Sequence, residues 1–146
     1  MKKTLIALII VIVVIAIALA GSYNNLVSSR ENVTASWAQV ENVLQRRGDL
    51  IPNLVNTVKG YASHEKTVFE EVTKARSAWA NAANVDDKVK AASSMDSAIS
   101  RLLLVAENYP DLKANQNFLQ LQDELAGTEN RIAVERMRYN QAARNY

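Results

Sequence analysis

From residue 5 to residue 20 every side chain is apolar, sixteen unbroken positions of Leu, Ile, Val and Ala. With Thr4 and Gly21 at its edges the run reaches about 18 residues, roughly 27 Å as a helix, which matches a bilayer core. Exposing it to water, at about 25 cal/mol per Å² of apolar surface, is strongly unfavourable. The run predicts a transmembrane anchor over residues 1–22, with residues 23–146 left to form one helical domain. A cleaved signal peptide is the competing reading: Lys2-Lys3, an apolar middle and Ala18-Leu19-Ala20 before Gly21 also fit a leader with an Ala-x-Ala site. The length of the run, and a helical pattern that resumes at Tyr23, favour the anchor. Lys2 and Lys3 flank one side, whereas Arg30 on the other is offset by Glu31, so the positive-inside rule keeps the N-terminus in the cytoplasm and exports the rest. Ala16 and Ala20, and Ala18 and Ser22, have the small-xxx-small spacing that lets anchor helices pack closely, although so Ala-rich a run produces that pattern by chance.

The 146 residues, 49% of them hydrophobic, suffice for a membrane span and one bundle-sized domain. Lys and Arg number 17 against 15 Asp and Glu, and two of the cations are Lys2 and Lys3. The remainder is balanced, which argues against a nucleic-acid partner, since phosphate binding needs an excess of positive charge. Cys is absent, which excludes disulfides and thiol chemistry. Four Gly and two Pro leave few turns, favouring long helices over sheet.

Beyond the anchor, Tyr23, Leu26, Arg30, Val33, Trp37, Val40 and Leu44 keep a three-four rhythm, a coiled-coil-like seam. The stretch Arg46-Arg47-Gly48-Asp49-Leu50-Ile51-Pro52-Asn53-Leu54 then predicts the apex of a helical hairpin. Arg46 and Arg47 suit a carbonyl end, Gly48 can take a left-handed backbone, Asp49 can cap the next helix, and Pro52 falls early in it. One continuous helix kinked at Pro52 is the competing reading. A second helix carries Ile51, Leu54, Val55, Val58, Tyr61, Ala62, Val68, Phe69, Val72, Ala75 and Trp79, with Gly60 as an interior interruption, and fades around residues 81–84. Asp86 and Asp87 suit the start of a third, striped by Val89, Ala92, Met95, Ile99, Leu102, Leu103 and Ala106. Pro110 separates it from a fourth carrying Leu112, Phe118, Leu121, Leu125, Ile132, Tyr139 and Tyr146. The predicted fold is all-α: a single N-terminal transmembrane helix followed by an antiparallel four-helix bundle of long, coiled-coil-like helices.

The local wording is also distinctive. Tyr23-Asn24-x-Leu26-Val27-x-x-Arg30, Arg46-Arg47-x-Asp49-Leu50-Ile51-Pro52-Asn53-Leu54-Val55, Val58-Lys59-Gly60-Tyr61-Ala62-x-His64-Glu65 and Ala75-Arg76 resemble the LemA family. So do Ala106-Glu107-x-Tyr109-Pro110-x-Leu112-Lys113-Ala114-Asn115, Asn117-Phe118-x-x-Leu121, Glu129-Asn130-Arg131-Ile132-Ala133 and Arg138-Tyr139-Asn140. The resemblance implies a bacterial membrane protein with one transmembrane helix and a four-helix bundle; together with the charge bias of the flanks, the expected location is the cytoplasmic membrane with the bundle on its outer side. Similar proteins of magnetosome membranes imply a link to membrane organisation. Members of the family usually continue the last helix past the Tyr-Asn region, whereas this sequence stops at Asn145-Tyr146, so a role carried by such a tail is not legible.

No catalytic constellation is expected. His64-Glu65 lacks the second His that a zinc protease helix needs at i+4, where Val68 stands, and as the sole His it cannot complete a carboxylate di-metal site. No Ser comes with a His and acid set, and no Gly-rich loop cradles phosphate, so neither enzyme activity nor a cofactor or metal is expected. Tyr61, Trp37, Trp79 and Tyr139 recur at core spacing and are read as packing. Arg30, Glu65, Arg76, Glu107, Glu129 and Arg136 lie on or beside the stripes. They read either as register-setting ion pairs or as a polar groove for a peptide, lipid headgroup or partner helix. The expected function is a non-enzymatic scaffold that self-associates at the lipid bilayer, a homo-oligomer that engages other membrane proteins; an extracytoplasmic peptide or ligand sensor is the alternative.

Overall fold

The computed structural model describes the backbone of residues 2–146 and the side chains of residues 4–146, so the flanking charge expected of Lys2 and Lys3 lies outside the described side chains. The chain is all-helical, with no strand among the described residues. Its elements are α1 (Lys2–Lys59), α2 (Lys66–Asn81), α3 (Val85–Ala106), a single turn α4 (Pro110–Lys113) and α5 (Gln116–Asn145). α1 is the one helix among them long and apolar enough to cross a membrane; its most apolar window has a mean hydropathy of 3.2 and none of it is buried.

The expected hairpin apex at Gly48, Asp49 and Pro52 is corrected: α1 runs unbroken through all three residues. The physical reason lies in the phase of the stripe. Val40, Leu44, Arg47, Gly48, Ile51, Leu54, Val55 and Val58 are all buried at successive three-four steps, so the helix keeps one face inward across the proposed turn. Gly48 does not use a left-handed backbone, and no residue among those described has a positive φ. Arg46, exposed, and Arg47, buried, both lie inside α1, which continues to Lys59, so neither serves a helix end.

The reversal falls instead at residues 60–65. The amides of Tyr61 and Ala62 both donate to the Val58 carbonyl, at 3.0 and 2.8 Å, closing α1 in a tight turn. Gly60, expected as a helix-interior interruption, is where the helix ends, and His64 is exposed in the connector. Later boundaries follow local chemistry. Asn84 caps α3 by accepting from the Asp87 amide at 2.8 Å, with Asp86 and Asp87 in the first turn. Pro110 opens α4 in the position where its missing N–H breaks nothing, and the Asn115 side chain accepts from the Phe118 amide at 3.0 Å to start α5.

The chain divides into two compact units, Met1–Val40 with Val134–Tyr146, and Glu41–Ala133. In the first, Trp37 and Tyr139 meet edge to face with ring centroids 5.3 Å apart. The seam expected from Tyr23 onward is uncovered at its start: Tyr23 is 68% and Leu26 51% exposed, and Arg30 is exposed. In the second, Ile51, Leu54, Val58, Val72, Met95, Ile99, Leu102, Leu112 and Phe118 form the fully buried core.

A methyl group at Gly48 would meet Met95 and Trp79 at an ordinary 3.9 Å, whereas one at Gly60 would press to 3.3 Å from the Thr57 carbonyl oxygen. Gly48→Ala should therefore raise stability by about 1 kcal/mol, the helix-interior advantage of Ala over Gly, while Gly60→Ala shows no such gain. Thermal melts followed by circular dichroism check this; a lower melting temperature for Gly48→Ala would contradict it.

Candidate functional site

Pro52 sits deep inside α1, where its ring nitrogen has no hydrogen to donate to the carbonyl four residues back, and its ring crowds that carbonyl. The carbonyl belongs to Gly48. Arg76 of α2 donates its Nε–H to this oxygen at 2.9 Å, supplying across helices the donor that the proline withholds. Two residues proposed for a turn, and one proposed for a polar seam, thus form a splice that keeps α1 continuous and fixes α2 against it.

The adjacent residue does the same for the other long helices. Arg47 is 5% exposed, and its guanidinium donates to the Leu125 carbonyl at 3.1 Å and to the Thr128 hydroxyl at 3.3 Å, both on α5. Its Nε lies 2.8 Å from an Asp96 carboxylate oxygen on α3. Thr128 in turn donates to Leu125 at 2.7 Å, so the buried hydroxyl is engaged both ways. An unpaired charge here would be costly, but a charge with three placed partners fixes register. Sequence reasoning assigned Arg47 to a helix end and passed over Thr128. The signal that would have found both is a polar residue falling in step with a buried stripe.

A second polar cluster pins the α1–α2 connector to the segment around α4. Tyr109 donates its hydroxyl to Glu65 at 3.4 Å, Asn115 donates to the Tyr61 hydroxyl at 3.0 Å, and Asn117 donates to the Thr57 hydroxyl at 3.0 Å. Buried Ala62 and Leu112 lie in the same two segments. The six residues read as a polar seam have different surroundings. Arg76 is in the splice, Glu65 in this cluster, Glu107 pairs with Lys113 at 2.8 Å, and Arg30, Glu129 and Arg136 are exposed. Ala16, Ala18, Ala20 and Ser22 are exposed along the apolar run. Trp79 is buried as expected, whereas Tyr61 is 41% exposed.

Residues 36–146 match the family described as the LemA family, most of the chain. The chain belongs to the LemA family. Among its relatives, Protein LemA of Metamycoplasma hominis is 27% identical over 86% of this chain and 58% of its own length. Magnetosome protein MamQ 2 of Paramagnetospirillum magneticum is 26% identical over 85% of this chain and 55% of its own. Magnetosome protein MamQ of Magnetospirillum gryphiswaldense is 23% identical over the same shares. This LemA chain spans just over half the length of these relatives. The LemA match contains the splice, the Arg47 node and the connector cluster, and begins beyond the apolar run. With that run, the kinship marks a membrane-associated protein.

Removing the Arg76 donor with Arg76→Met should cost about 1.5–3 kcal/mol, the range for a hydrogen bond to a charged group. In a Pro52→Ala background the backbone N–H of residue 52 can serve Gly48 itself, so the same substitution should cost distinctly less. A double-mutant cycle by urea denaturation reads this coupling; equal costs in both backgrounds would show that Arg76 does not act through the Gly48 carbonyl.

Proposed function

We propose that this LemA protein is a membrane-anchored, non-enzymatic scaffold that self-associates at the bacterial cytoplasmic membrane. Its packed helices would act as an antiparallel four-helix bundle on the outer side, reached from an N-terminus in the cytoplasm. The observation that carries this reading is the continuity of α1: one helix holds the exposed bilayer-length apolar run and, from Val40 to Val58, a wall of buried side chains. A scaffold needs its anchor coupled to its interaction surface, and anchoring raises the effective concentration at which weak contacts assemble. Self-association is supported by the seam start, where Tyr23, Leu26 and Val27 present apolar surface with no cover. The names of the magnetosome relatives are consistent with work at a membrane.

A second reading, an adaptor that receives peptide segments of other membrane proteins, is favoured by an open groove along α2.

Light scattering of the full chain in mild detergent, over a concentration series, tests the first reading. The expected protein mass is that of two or more whole protomers, and Leu26→Glu should shift it toward one copy. A single-copy mass at every concentration would contradict self-association.

A further inference from the structure

The groove has a volume of about 610 Å³ and follows one face of α2 from Lys66 to Ser77, roughly 17 Å of helix, with Lys59 from the end of α1 at its side. Its lining combines two chemistries. Lys59 holds its ammonium 5.4 Å from the centroid of the Phe69 ring, and the lysine stems and the Thr73 methyl add apolar surface. Around them stand Lys59, Lys66 and Lys74 against one carboxylate, Glu70. Among the described residues none of these four makes an ion pair within 4.0 Å, whereas Arg47, Lys88, Arg101 and Lys113 in the same unit are each paired with an acid. The cations flanking the groove are therefore free to meet charge from outside.

We propose that this groove binds an acidic peptide segment of a partner protein, its carboxylates meeting Lys59, Lys66 and Lys74 and an apolar side chain resting on the lysine stems and Thr73. Glu70 lies one helical turn from both Lys66 and Lys74 and offsets one charge, which leaves a net attraction for a segment with at least two acids. Spaced ammonium groups on flexible stems adapt to carboxylates at several spacings, so the groove selects charge and an apolar contact rather than one sequence. The proposal rests on the adaptor reading and is independent of self-association, so either can fail alone.

The test uses the full chain in phosphatidylcholine nanodiscs. The probes are fluorescein-labelled peptides of about eight residues, long enough when extended to run the groove, one of alternating Glu and Leu and one with Gln for Glu. Fluorescence anisotropy should saturate with the Glu peptide and not with the Gln peptide, and the affinity should fall as salt rises. Lys66→Glu with Lys74→Glu should weaken binding roughly tenfold or more, while Lys90→Glu, an exposed lysine of α3 outside the groove, leaves it unchanged. If the double reversal does not fold by circular dichroism, Lys66→Gln with Lys74→Gln replaces it, with a smaller loss in the same direction. Equal capture of the Gln peptide, no saturable binding, or undiminished binding by the variants would overturn the proposal. So would displacement of the peptide by glycerophosphoglycerol, which would assign the groove to lipid headgroups. The oligomer mass of each variant, measured alongside, reports separately on self-association.

Discussion

A proline within a helix strands one carbonyl, and in this protein that carbonyl is where neighbouring helices are fastened together. Arg76 reaches from α2 to the Gly48 oxygen, and Arg47, one residue earlier, reaches to α3 and α5. Two consecutive positions of α1 thus bind it to each of the other long helices. Apolar burial supplies the bulk of the stability, but it is indifferent to a shift of one turn. Directional bonds from two guanidinium groups to specific oxygens are not, and they set the register in which Leu54, Met95, Leu102 and Phe118 close the core.

Much of this was legible in the sequence. The apolar run, the all-helical class, the breaks near residues 81–84 and at Pro110, and most core positions followed from periodicity and capping chemistry. The reversal was misplaced because Arg-Arg-Gly-Asp and a nearby proline fit a helix stop and start by local rules. What overrides them is tertiary. The stripe from Val40 through Ile51 to Val58 never changes phase, and the bond that a helical Pro52 forfeits is restored by a residue 28 positions beyond Gly48. The first fact was readable and is the better guide: a true hairpin interrupts the stripe. The second depends on a contact between helices that no local pattern encodes.

The same distinction separates the polar residues. Arg76 and Glu65 proved to be parts of the packing, while Arg30, Glu129 and Arg136 face outward, since proximity to a stripe does not say whether a long side chain turns in or snorkels out. Charges that make no ion pair among the described residues lie instead along α2, at Lys66, Glu70 and Lys74, with Lys59 of α1 beside them. The proposed tethered binding role draws on that surface together with a first helix that holds both a bilayer-length apolar run and a buried stripe.

The continuity of α1 is tested most directly by a distance. The sequence has no Cys, so nitroxides on Cys introduced at exposed Asn42 and Asn56 would be the only labels. Fourteen residues of unbroken helix separate them by about 21 Å along the axis. Double electron-electron resonance on the full chain should give one distribution centred near that value. A distribution centred near 10 Å, the spacing of two packed helices, would mean that the chain doubles back at Gly48 and would contradict the account.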